Sequence, residues 1–133
     1  MLTCLRGGPE RPEVEVVWAS VRFDSEKQGH FALALRLRDA PRGPMEISAI
    51  RYKLRVGPRL FTSGMTILDL HLAPGQRDLP VLSLPFALED PVTWPSHVSI
   101  GATGSVETGA GTDYWLGFEG RVGAEVTQPP RDW

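Results

Sequence analysis

Apolar residues recur at every second position along much of this chain, the spacing of a strand with one buried face. In HFALALRLR (30–38), Phe31, Leu33, Leu35 and Leu37 fall on one side and His30, Arg36 and Arg38 on the other, with small Ala32 and Ala34 between. Helix propensity favours Ala and Leu, but strict alternation bounded by KQG and DAPRGP selects a strand. EVEVVWASVRF (13–23) is rich in β-branched residues and partly apolar on both sides. EISAIRYKLRV (46–56) places Ile50, Tyr52, Leu54 and Val56 opposite Arg51, Lys53 and Arg55, and Gly57-Pro58 breaks it. A short RLFTSG (59–64) precedes a separate strand, TILDLHL (66–72), with Leu68, Leu70 and Leu72 in register.

The second half continues the pattern. APGQRD reads as a turn. LPVLSLPF (79–86) carries Pro80 and Pro85, which cannot donate to a ladder, so it belongs at a sheet edge. ALEDPVTWP (87–95) has room for one helical turn, its prolines forbidding more. HVSIGATGSVE (97–107) and DYWLGFEGRVGAEV (113–126) flank TGAGT and predict a hairpin. In the latter, Tyr114, Leu116, Phe118, Val122 and Val126 share one face, and Trp115, Glu119, Arg121 and Glu125 the other. Seven to eight strands without a convincing helix predict an all-β fold, an antiparallel β-sandwich. The organisation expected is a linker over 1–12, one β domain over 13–126 and a tail over 127–133. The expected core holds Phe31, Leu33, Leu35, Leu37, Tyr52, Leu54, Leu70, Leu116 and Phe118.

Composition agrees with an ordinary globule. A chain of 133 residues, 41% hydrophobic and 23% charged, can bury roughly two-thirds of its unfolded surface. Its 14 Gly and 12 Pro lie between the apolar runs, as turns require. A formal charge of −2 gives no global attraction to polyanions, so any nucleic-acid binding would be local. The basic stripe Arg51, Lys53 and Arg55 reads as the wet side of a strand. A nucleic-acid face would want aromatics between the cations, and Tyr52 points the other way.

One cysteine, Cys4, excludes an intrachain disulfide and Cys-rich zinc sites. MLTCLRGGPERPEV has the outline of a mature bacterial lipoprotein: a cysteine, a polar Gly/Pro linker, then a strand. Cys4 is thus the candidate lipid-attachment residue. No apolar signal segment precedes it, however, and Thr3 stands where a smaller residue is usual. The plainer reading is a frayed terminus with an incidental thiol.

Residues 30–72 resemble the WHy (water stress and hypersensitive response) domain of late embryogenesis abundant proteins of type 2. The matching pieces are FALALRLRDAPRGPMEISAIRYKLRV, GPRLFTSG and TILDLHLAPGQ, and HVSIGATGSVE with YWLGFEGRV is similar to the family's closing hairpin. The likeness so extends over about 13–126. Asp39-Ala40-Pro41 stands where the family carries an Asn-Pro-Asn-like turn, and Asp caps a turn as Asn does. The resemblance implies an immunoglobulin- or fibronectin-III-like sandwich, non-enzymatic and associated with desiccation and similar stress. Prokaryotic relatives also occur as envelope lipoproteins. The family supplies no catalytic residues to carry over.

Candidate chemistry is thin. Asp69 and His71 emerge on one face of a strand, and a tetrahedral metal site would need a further ligand such as His30 or His97. Ser63 lacks a nucleophile elbow and reads as a turn residue. Glu89-Asp90 precedes Pro91 in a loop, and general acid/base use would need a cleft. Gly101, Gly104, Gly109 and Gly111 lack the lysine and following helix of a phosphate loop. No catalytic, metal or cofactor-binding residue and no specific small-molecule ligand is therefore expected. The function expected is non-catalytic protection by weak contact with client proteins or membranes under stress, with no nucleic-acid partner. The sequence as it stands suggests the cytoplasm. The alternative is an envelope or periplasmic adaptor, lipidated at Cys4, that docks an unidentified protein.

Overall fold

The computed structural model describes residues 13–91, 93–108 and 114–128. Among the described residues seven strands are formed: β1 Val14–Phe23, β2 Gln28–Leu37, β3 Met45–Val56, β4 Arg59–Leu72, β5 Leu82–Ala87, β6 His97–Thr108 and β7 Tyr114–Thr127. They pair in one sheet in the order β4-β3-β6-β7-β1-β2-β5. The sheet curls until it is nearly closed, with apolar side chains inside. The all-β class and the strand count agree with the sequence pattern. Two separate antiparallel sheets do not form, because β1 runs parallel to β7 and joins both halves into a single mixed sheet. Ala19↔Ala124 and Val21↔Val126 lie in that pair, small and β-branched residues that let the strands meet.

Three hairpins make most of the sheet. β1–β2 turns through residues 24–27, where the amides of Asp24 and Ser25 donate to the Gln28 carbonyl. β3–β4 turns through Gly57-Pro58, with Val56 opposite Arg59. Gly57 takes φ of +60°, the handedness that matches strand twist in a two-residue hairpin. β6–β7 pairs from Thr108↔Tyr114 to His97↔Glu125, while the TGAGT turn itself, 109–113, lies outside the described residues. Ala73–Gln76 forms a Pro-Gly turn in which the Gln76 amide donates to the Ala73 carbonyl at 3.0 Å and Gly75 has φ of +83°.

Two expectations are corrected. RLFTSG and TILDLHL form one continuous strand, because β3 pairs with both on the two sides of Gly64. Ser63 is therefore a strand residue facing Lys53, not a turn residue. Residues 88–91 and 93–95 contain no helical turn. LPVLSLPF behaves as its prolines demand: only Leu82–Ala87 is strand, and it lies at a sheet edge against β2.

The interior is made by the predicted alternation. Phe31, Leu33, Leu35 and Leu37 from β2, Tyr52 and Leu54 from β3, and Leu116 and Phe118 from β7 are all buried. Leu70 is only half-buried and packs on the margin of this core. At one end the two outermost strands meet through aromatic rings. Phe61 of β4 packs against both Phe31 and Phe86 at 5.4 and 5.1 Å, and Trp94 lies tilted against it at 4.6 Å. Side chains thus close what backbone hydrogen bonds leave open.

A basic groove on the outer face

The outward side of the β4-β3-β6 sector carries an open groove of about 670 Å³. Period-two geometry builds it. Arg51, Lys53 and Arg55 project from β3 between Ser63 and Met65 of β4 and Thr103 and Ser105 of β6. Arg51 and Lys53 are exposed and Arg55 is half-exposed, as the stripe pattern predicted. No carboxylate occurs between Glu46 and Asp69, whereas Arg51, Lys53, Arg55 and Arg59 all do. The hairpin is consequently a local positive field in a chain of formal charge −2.

One neighbour of the stripe was invisible along the chain. The Arg51 guanidinium lies 3.8 Å from the centroid of the Trp115 ring. Alternation in 113–126 had turned Trp115 outward, but only the β3-β6-β7 order brings it to Arg51. Ser105, opposite Arg51 on the intervening β6, is small enough for the guanidinium to lean diagonally across to Trp115, which pairs with Glu107. The ring face is occupied by the guanidinium, so Trp115 is a rest for a cation rather than a free stacking platform.

The remaining candidates do not converge. His30 Nδ1 lies 2.8 Å from Asp24 Oδ2, an ion-pair distance without the alignment of a hydrogen bond, and Arg22 Nε reaches the other oxygen at 3.2 Å. Among the described residues no hydroxyl or thiol bonds His30. His71 Nε2 contacts Asp69 Oδ1 at 3.0 Å and its Nδ1 lies 3.8 Å from Glu46. His97 bonds Ser96 at 3.2 Å. Among the described residues no three His, Cys, Asp or Glu side chains gather as metal ligands would. Glu89 and Asp90 are exposed in the segment after β5, and Gly101 and Gly104 sit within β6. Cys4 and Gly109 and Gly111 fall outside the described residues. Arg36 bonds Asp78 at 2.8 Å, and that hydrogen bond, reinforced by the carboxylate charge, raises the guanidinium above its ordinary pKa.

The fold so defined, a seven-stranded mixed sheet with a parallel β1–β7 join, is similar overall to several solved structures. AT1g01470 from Arabidopsis thaliana is 10% identical with a TM-score of 0.60, over 94% of this chain and 87% of that one. At2g46140.1, assigned as a late embryogenesis abundant (LEA) protein, is 12% identical with a TM-score of 0.56, over 95% of this chain and 76% of that one. A protein from Archaeoglobus fulgidus is 12% identical with a TM-score of 0.54, over 84% and 94%. At such identities the likeness is one of fold. No family model and no curated protein matches the sequence.

Proposed function

We propose that this chain is a non-catalytic, stress-protective domain of the type 2 late embryogenesis abundant kind, a WHy-like unit whose curled sheet corresponds to that family's sandwich. The observation that carries this reading is the fold likeness to a LEA-assigned protein across 95% of the chain. The motif pattern over 30–72 supports it independently of the fold. Mechanistically, a stable core with a mixed-charge shell would stand between client macromolecules as water is withdrawn. Its order would precede drying, unlike disordered protectants that fold only then.

The test is recovery of a labile enzyme after drying or freeze–thaw. This protein is compared at equal mass with an unrelated β protein of similar charge. Greater recovery with this chain is expected. Equal recovery would reduce the effect to crowding and overturn the proposal in favour of the adaptor.

A further inference from the structure

We propose that the free edge of β4 is a self-association surface at which a second copy of this chain adds its own β4, antiparallel, around a two-fold axis near Thr66. Three independent observations lead there. The first is the contrast between the two edges of the sheet. β5 is six residues long and contains Pro85, a short edge interrupted by one residue that cannot donate. β4 is fourteen residues long, pairs regularly with β3 from Thr62 to Ile67, and has no proline or lysine. Among the described residues its other edge is bonded to no strand. Such an edge is a template for another strand.

The second observation is where apolar surface is exposed. Met65 and Ile67 are 59% and 74% exposed on the outer side of β4. A register centred on Thr66 sets Met65 of each copy opposite Ile67 of the other. Four apolar side chains then cover one another at the middle of the new pairing, where cross-strand pairs stabilise a sheet.

The third is charge. The tip half of the β3–β4 hairpin holds Lys53, Arg55 and Arg59, and its root holds Glu46 and Asp69. Antiparallel addition lays each half beside its opposite. Ser63, which pairs with Lys53 within one copy, faces Asp69 of the second. Adjacent strands lie about 5 Å apart, so the Lys53 chain crosses over small Ser63 to reach that carboxylate. An isologous contact of this kind closes as a dimer and does not propagate. The surface is a matter of edge, exposure and charge, and it stands whether or not the chain protects clients.

Sedimentation equilibrium of the whole chain, from micromolar to submillimolar concentration, tests this without drying. A reversible dimer is expected. Ile67→Lys puts like charges at the centre and should weaken it at least tenfold, with no loss of fold because the side chain is exposed. Lys53→Glu and Asp69→Lys should each weaken it, and the double charge reversal should restore it, which only this register explains. A monomer at all concentrations would overturn the proposal. So would a dimer indifferent to Ile67→Lys, or single reversals that the double variant does not rescue. A monomer that instead binds anionic phospholipid vesicles, and loses them with Ile67→Glu, would give this face to a bilayer and equally overturn it.

Discussion

Phe61 of β4 and Phe86 of β5 hold their ring centroids 5.1 Å apart at 71°, although their strands stand at opposite ends of the sheet. Edge-to-face packing at this spacing is the favoured geometry for aromatic pairs. It fastens the curled sheet where no ladder does. Phe61→Ala should cost roughly 2–4 kcal/mol, towards the lower part of the range for buried phenylalanines because Phe61 is half-buried. Urea unfolding measures it, and the emission of Trp94, which packs against Phe61, should change in the folded baseline. A loss within experimental error would mean that the seam does not hold the ends together.

Leu35 lies towards the C-terminal end of β2, opposite Val16 of β1, and is about 1% exposed. Leu35→Ala removes three carbons where the backbone is held by the β1 ladder and by the Leu79 amide donating to the Leu35 carbonyl, so a cavity remains. The expected loss is roughly 2–5 kcal/mol. Exposed Leu60, at 52%, is the internal control. Leu60→Ala should change stability by less than about 0.5 kcal/mol.

Gly104 faces Tyr52 on one side and Phe118 on the other. A Cβ there would overlap the Arg51 carbonyl oxygen and stand 2.8 Å from the Phe118 ring. Backbone cannot retreat from it, so Gly104→Ala should destabilise by about 3 kcal/mol or more, at the diagnostic end of single substitutions. Gly123 has open space where a Cβ would go. Gly123→Ala should be neutral within about 0.5 kcal/mol. Thermal unfolding of the two variants side by side reads the difference.

Within the basic stripe the three cations are not equivalent. Arg51→Ala removes a guanidinium from the Trp115 face, worth about 0.5–1 kcal/mol at an exposed site. Lys53→Ala removes a solvated charge with no partner among the described residues and should change stability by less than about 0.5 kcal/mol. Urea midpoints of the two variants, and a double cycle with Trp115→Leu, check that the difference belongs to the ring contact. Equal effects of the two single changes would dissolve the assignment.

What the sequence determined by itself is where most of the strands lie and, for those that alternate strictly, the side that turns inward. Period-two alternation is local, and burying one face of a strand fixes every side chain on it at once. Phe31 through Leu37, Tyr52 and Leu54, and Leu116 and Phe118 were legible for that reason, and so was the outward stripe Arg51, Lys53 and Arg55. Pro80 and Pro85 likewise announced an edge, since a missing amide is a property of one residue. Which strands become neighbours is not local, and there the tertiary structure decided. Alternation is blind to whether β1 meets β7 in parallel, so two sheets and one curled sheet share the same pattern. Gly64 looked like a break because glycine weakens a strand on its own. The Tyr52 hydroxyl lies 3.2 Å from where a Cβ would stand, so at this position glycine is what lets the strand pass. Trp115 reached Arg51, and Phe61 reached Phe86, only because sheet order and curvature brought distant segments together. The groove and the open β4 edge arise from that same non-local arrangement.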